Sequence, residues 1–368
     1  MGFIVRLGVA LRHCTVLLFL TYLASMNTPL PAAATLSRAD NSLSVRELLR
    51  KYGITAALEG NITEYAINRP GEFWYEDSQG WHREFDEKLT FGNLTALTTA
   101  IAVFNKKKLN RDNPIASLTL PDGERCQIVL DPGCEGGTIS ITIRKPSASR
   151  FTLNDYVKSG RLKPTSAGSR STLKDWEIEL LRLKNVGDFE SFFKLAVENK
   201  LNVVTVGGTG SGKTTFSKAL IDLYPSSRRL FTIEDAHELT TPLHPNSVHL
   251  FFSPTLTAKA LLSSAMRMKP DHIFITELRG DESWDYLMAL KSGHSGSVTS
   301  IHANDTLGAL YKIGSYIKQS EVGQTLDFAY IMREVMTTID VVTFFDHTFM
   351  TEIYYDPENK LKLLTGEK

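Results

Sequence analysis

The chain has little cysteine, no net charge and no long apolar run near its start. Three cysteines, Cys14, Cys126 and Cys134, stand among 368 residues, and no C-x-x-C occurs. Neither a zinc site nor a redox motif is therefore expected, and free thiols in a reducing compartment follow. Lys and Arg number 41, as do Asp and Glu, for a formal net charge of +0. That balance removes any global pull toward nucleic acid or anionic lipid and leaves only local patches. The apolar run 15–23 (TVLLFLTYL) is too short to span a bilayer as a helix. Internal repeats and strongly biased segments are lacking too. With 42% hydrophobic and 22% charged residues, the sequence is that of a soluble globular protein long enough for two cores.

What is present centres on Gly207-Gly208-Thr209-Gly210-Ser211-Gly212-Lys213-Thr214, which fits G-x-x-x-x-G-K-[ST]. The β-branched run 201–206 before it predicts a buried strand. The segment 214–223 after it predicts a helix with Phe216, Ala219, Leu220 and Leu223 on its inner face. A strand feeding a glycine loop that opens a helix aims backbone N–H groups, and the positive end of the helix dipole, at one point. Glycines let the backbone approach phosphate closely. Gly208, Thr209, Gly210, Ser211, Gly212, Lys213, Thr214 and Thr215 are thus the candidate ATP-binding residues. Lys213 would reach the β- and γ-phosphates and the Thr214 hydroxyl would hold Mg²⁺, with Lys213 facing solvent in the free protein.

Further acids follow. The run 273–277 (IFITE) predicts a strand ending in Glu277, placed to orient an attacking water. Thr276 stands where such strands usually carry an aspartate, so Mg²⁺ must draw on acids from elsewhere. Glu234 and Asp235, with Glu238 close behind, are the candidates. His302, at the carboxyl end of the predicted strand 298–301, could hydrogen-bond a phosphate oxygen, whereas His294 lies in a glycine turn at the strand's other end.

Around these motifs the pattern divides. Residues 36–150 show short alternating strands with turns at Arg69-Pro70-Gly71 and Pro121-Asp122-Gly123 and a helix over 89–104, a small α+β domain. Residues 151–184 read as a linker with one or two short helical pieces, and KPTSAGSRST at 163–172 is rich in Ser, Thr, Gly and Pro. Residues 185–368 alternate helix and strand, an α/β domain with a mostly parallel sheet that binds ligands at the strands' carboxyl ends. Residues 1–35 carry Arg6 and Arg12, the apolar run and Ala32-Ala33-Ala34. That pattern looks like a secretory signal. A true start at Met26 is the preferred reading, with peripheral membrane attachment and export as alternatives.

GGTGSGKTT, IEDAHEL, MRMKPDHIFITELRGDE and GHSGSVTSIHAND stand in this order over residues 207–305. Together they resemble the Walker A, Asp box, atypical Walker B and His box of the type II/type IV secretion ATPase superfamily. The fit is closest to the VirB-type traffic ATPases of type IV secretion and conjugation. Upstream, ITEYAINRPGEFWYE, PDGERCQIV and TISITIRKPS resemble that group's N-terminal domain, so the likeness covers about residues 45–368. It implies a RecA-like P-loop NTPase domain behind a smaller α+β domain, a homohexameric ring, and ATP with Mg²⁺ bound between the domains. It assigns Lys213 and Thr214 to phosphate and Mg²⁺, Glu277 to the water, Glu234 and Glu238 to the Asp box and His302 to the His box. Arg125 and Arg144 match N-domain arginines that reach the phosphates. The implied protein is cytoplasmic, peripheral at the bacterial inner membrane beside other secretion components, and moves protein or DNA cargo; no strong nucleic-acid signal accompanies it. Rival readings are a type II secretion or pilus-motor ATPase, a nucleotide-gated scaffold with little turnover, and a helicase. The four-cysteine module common in the first is absent.

Overall fold

A computed structural model describes residues 42–146, 150–163 and 171–366; the segment 1–35 and the Met26 start lie outside them. The N-terminal part is a six-stranded sheet in the order β3-β2-β1-β6-β5-β4. Its strands are β1 (Glu64–Ile67), β2 (Glu72–Asp77), β3 (Gly80–Phe85), β4 (Ile115–Thr119), β5 (Arg125–Leu130) and β6 (Ile139–Arg144). Every pairing in it is antiparallel. The helix Phe91–Phe104 begins where the Thr90 hydroxyl accepts the Asn93 N–H at 3.2 Å. Its Leu94, Leu97 and Ile101 share a core with Ile128, Ile141 and Ile143 of the sheet. Strand period two explains β6. Ile139, Ile141 and Ile143 face this helix, while the buried Ser140 and Thr142 lie on the opposite face.

The C-terminal part carries β7 (Val203–Gly207), β8 (Leu230–Glu234), β9 (Ser247–Phe251), β10 (His272–Ile275), β11 (Val298–Ile301), β12 (Val341–Asp346) and β13 (Phe349–Tyr355). They form sheets β10-β8-β9 and β11-β7-β12-β13, parallel throughout except at β13. The two are stitched together just past β10. Ser300 N–H donates to the Thr276 carbonyl at 3.2 Å and Leu278 N–H to the Ser300 carbonyl at 2.9 Å. The carboxyl ends of β7, β8, β10 and β11 therefore meet along one edge, which positions the site. The fold is α/β and RecA-like, preceded by the smaller α+β part.

One element buries a different face from the one the sequence predicts. The helix after the glycine loop, Lys213–Ile221, buries Lys213, Ser217, Leu220 and Ile221. Of the predicted inner face, only Leu220 is buried; Ala219 and Leu223 are exposed and Phe216 is half-buried. Helical spacing identified an apolar stripe but not which neighbour would cover it. Within the expected linker, Leu180 and Leu183 of the helix Asp175–Val186 sit in one core with Phe192, Phe193 and Leu220. The hairpin β12–β13 is not among the strands expected from the sequence.

Arg229 joins the two parts. It is fully buried, and its guanidinium donates to Asn68 Oδ1 at 2.9 Å, Asn246 Oδ1 at 2.5 Å, the Met268 carbonyl at 3.1 Å and Thr142 Oγ1 at 3.2 Å. Its charge lies 5.0 Å from the Trp81 ring and 5.1 Å from the Phe231 ring. Burial pushes its pKa down to about 9, against the pull of the Glu64, Asp271 and Glu76 carboxylates. A buried cation needs each of these acceptors, so the N-terminal sheet is held on the C-terminal one by a group that is costly to expose unpaired.

Candidate nucleotide-binding site

β7 ends at Gly207, whose φ is +150°. A Cβ there would stand 2.5 Å from the Phe345 carbonyl oxygen and 2.5 Å from Ser211 Oγ, so only glycine fits. Gly210 and Gly212 take φ of +74° and +84°, and open space surrounds Gly208 and Gly210 on the side where a Cβ would project. The helix Lys213–Ile221 opens at Gly212 without a side-chain cap, which leaves its first N–H groups for another acceptor. Among the described residues, Ser211 Oγ is buried without a hydrogen-bond partner. A cradle with uncapped donors, an orphaned buried hydroxyl and room beside its glycines fits a phosphate chain.

Lys213 does not face solvent as expected. It is buried, and its ammonium donates to the carbonyls of Gly207 at 2.8 Å and Gly208 at 2.7 Å. The loop wraps the side chain and supplies the acceptors. Burial lowers the Lys213 pKa, and the nearby Glu277 carboxylate opposes that.

Glu277 stands just beyond β10. Its Oε1 lies 3.4 Å from His302 Nε2, and its Oε2 accepts from Arg279 at 3.1 Å. The other His302 ring nitrogen, Nδ1, is 3.0 Å from the Gly207 carbonyl, the same oxygen that Lys213 contacts. One chain of polar contacts thus runs from the phosphate loop through His302 to the acid. Arg279 extends it to Asp235 at 2.6 Å. Arg279 was not singled out in the sequence, although it sits two residues after Glu277 in ITELRGD. Its role depends on Asp235, which is remote in sequence.

Glu234, at the end of β8, is fully buried and already occupied. It accepts from the Thr232 hydroxyl at 2.6 Å and from the N–H groups of Glu238 at 2.8 Å and Leu239 at 2.7 Å. Burial would raise its pKa, but His249 and these donors together hold it below the ordinary value. It shapes the turn after β8. Glu238 is exposed on that turn. The Thr276 hydroxyl donates to the Ile233 carbonyl at 3.1 Å, tying β10 to β8. Ligand atoms of Glu234, His237 and His249 lie within 4.8 Å of one another, but the oxygens of Glu234 are spent on the donors just named.

Arg125 and Arg144 stand elsewhere. They pair across β5 and β6, and Arg144 pairs in turn with Glu64 of β1, Nε to Oε1 3.5 Å. All three line a cleft of about 1010 Å³ together with Lys145, Arg161 and Lys269; among the described residues, its lining includes none from the phosphate loop. The chain as it stands does not bring these arginines to the loop. Glu64 is 3% exposed, and burial pushes its carboxyl up to about 7 against the pull of Lys269 and Arg144.

A glycine cradle at a helix start, a lysine inside it and an acid at the end of a neighbouring strand define a P-loop nucleotide hydrolase. Comparison with known proteins narrows the class. Residues 84–342 match the family described as type II/IV secretion system protein, and the chain belongs to that family. It is 41% identical over 324 residues to the type IV secretion system protein VirB11 of Brucella suis biovar 1 (strain 1330), covering 83% of this chain and 90% of the relative. It is 38% identical over 289 residues to the type IV secretion system protein PtlH of Bordetella pertussis (strain Tohama I), covering 77% and 84%. The crystal structure of the Brucella suis VirB11 ATPase in complex with sulphate matches with a TM-score of 0.84 at 41% identity, covering 88% of this chain and 98% of that one. The chain is an ATPase of the type II/IV secretion family.

Proposed function

We propose that this ATPase works as a cytoplasmic homohexamer, peripheral at the bacterial inner membrane, in a type IV secretion system. Its hydrolysis of Mg²⁺-bound ATP drives domain motion that moves cargo or assembles the apparatus. The observation that carries the reading is Glu277, fixed between His302 and Arg279 and linked through His302 to the carbonyl that Lys213 contacts. Residues 208–215 bind the phosphates. Glu277 accepts a hydrogen bond from the attacking water, whose oxygen bonds to the γ-phosphorus as the β–γ bridge breaks. Thr214 would hold Mg²⁺, which supplies charge neutralisation when bound. His302 senses the state of the loop, and Glu234 and Glu238 shape the neighbouring Asp-box turn. Arg125 and Arg144 serve the phosphates only if closure or a ring neighbour brings their cleft to a loop.

The domains are read as 36–150 and 185–368 with the linker 151–184 between them. No described helix is long and apolar enough to cross a membrane. The even charge balance favours neither protein nor DNA as cargo. Steady-state phosphate release by the purified chain, with sedimentation for ring size, tests the proposal. Turnover by a ring of six is expected, and negligible turnover with intact ATP binding would make the protein a nucleotide-gated scaffold.

A further inference from the structure

Asp235 and Glu277 leave the ends of neighbouring strands side by side. β8 and β10 run parallel with Ile233 opposite Ile275, and the same register carried two residues further sets Asp235 beside Glu277. The strand ends are tied there, since the N–H and the hydroxyl of Thr276 both donate to the Ile233 carbonyl at 3.1 Å. Two carboxylates so placed repel each other, and a cation between them removes the repulsion. Arg279 supplies that cation. Its Nη1 donates to Asp235 Oδ2 at 2.6 Å and its Nη2 to Glu277 Oε2 at 3.1 Å.

The backbone that carries Arg279 is itself pinned. Leu278 is fully buried, and its N–H donates to the Ser300 carbonyl at 2.9 Å. The N–H groups of Arg279 and Gly280 both donate to Glu282 Oε1, at 2.6 and 3.0 Å, at the start of the helix Glu282–Lys291. Beyond that backbone the side chain reaches into water: Arg279 is 52% exposed, against 19% for Glu277. A long side chain half in solvent keeps one orientation only if its tip is held. Asp235 holds it. The other oxygen of Asp235, Oδ1, accepts the Ala236 N–H at 3.1 Å, so both oxygens are engaged by the chain's own donors. The sequence offers Asp235 as an acid for Mg²⁺, and these bonds give it a different task.

We propose that Asp235 serves hydrolysis through Arg279 and not as an acid for the metal: Asp235 anchors the guanidinium, and the guanidinium orients the Glu277 carboxylate. The proposal rests on the water-orienting role given to Glu277 above and deepens it. With His302 at Oε1 and Arg279 at Oε2, the carboxylate is held at both oxygens, which fixes the direction in which it accepts a hydrogen bond from water. Arg279 is thus a positioning residue and Asp235 its anchor.

The test compares Arg279→Gln, Arg279→Lys, Asp235→Asn and the double variant Asp235→Asn/Arg279→Gln on the full chain. Arg279→Gln should lower kcat by about tenfold to a hundredfold with the KM for ATP within about twofold of wild type. Arg279→Lys should recover only part of that, because an ammonium lacks the fork that spans two acids; full recovery overturns the bridge. Asp235→Asn alone should cost about threefold to fivefold, the worth of a half-exposed charge pair, and should cost nothing more in the Arg279→Gln background. Additive losses in the double variant overturn the anchor role. Binding of Mn²⁺ in the presence of a non-hydrolysable ATP analogue, followed by calorimetry, gives a readout apart from turnover. Asp235→Asn should bind Mn²⁺ within about twofold of wild type, and a loss of about tenfold or more overturns the proposal by making Asp235 an acid for the metal. Failure of the Glu277 reading looks different. Glu277→Gln then hydrolyses ATP normally, whereas an inactive Glu277→Gln beside a fully active Arg279→Gln overturns only the role given to Arg279.

Discussion

Glu277 and His302 face each other from the ends of β10 and β11, Oε1 to Nε2 at 3.4 Å, and the far side of the His302 ring reaches the Gly207 carbonyl at 3.0 Å. Glu277 and the glycine loop are thus joined by one imidazole, so a shift of the loop is felt at the acid. The bond to Gly207 needs a proton on Nδ1, because a carbonyl only accepts. His302→Ala should cut turnover by about tenfold to a hundredfold, the range for loss of a positioning partner. Nucleotide affinity should change little. A fall in affinity matching the fall in turnover would show that His302 supports binding alone.

Glu277→Gln keeps the size of the side chain and loses the carboxylate. ATP should bind, and hydrolysis should fall by about two orders of magnitude or more. Glu234→Gln is the contrasting variant. Its carboxylate oxygens are engaged with the chain's own donors, so that change should lower thermal stability more than it lowers chemistry per folded molecule. Normal hydrolysis in Glu277→Gln beside a folded but inactive Glu234→Gln would move the water-orienting role to the Asp box.

Lys213→Ala should abolish turnover, since the charged contact to the transferring phosphoryl group is lost. The buried ammonium bonds two loop carbonyls, so the variant should also melt somewhat differently from wild type, unlike a change at a solvated lysine. Circular dichroism melting beside phosphate release separates the two effects, and near-normal turnover would remove the site from this loop.

Arg144→Ala tests whether the cleft of the N-terminal sheet ever meets a nucleotide. Its side chain is 68% exposed, so folding should be unaffected. If closure or a ring neighbour brings it to the phosphates, turnover should fall by about 10³-fold or more with the ring intact, and Arg144→Lys should rescue only in part, lacking the planar fork. Wild-type hydrolysis by Arg144→Ala would return the residue to a solvated strand end.

Glu64 carries the clearest pH signature. Its folded pKa is raised to about 7 by burial, above the unfolded value. The folded state therefore holds the extra proton, and the stability this contributes is complete below the unfolded pKa and lost as pH rises through about 7. Glu64→Gln stays neutral throughout. Relative to wild type it should gain on the order of 1–3 kcal/mol between pH 4.5 and 8, read from urea midpoints. A difference that does not vary with pH would show Glu64 ionised in both states.

The sequence by itself determined the glycine loop, the strand before it and helix after it, the acid at Glu277 and the order of boxes that places the chain in its family. These are local matters: positive φ at glycine, apolar runs of strand length and an uncapped helix start are set by neighbours in the chain. Tertiary structure decided which partners each charged group has. Lys213 is turned onto loop carbonyls, Glu234 is consumed by its own turn, Arg279 bridges Glu277 to Asp235, and Arg229 is buried among Asn68, Thr142 and Asn246. Each partner comes from another turn or strand, and no spacing rule reaches that far. The apolar stripe from Phe216 to Leu223 makes the same point. Its period identifies a helix face, but whether a core or a groove lies against it depends on where β12 and the helix Phe189–Glu198 come to rest.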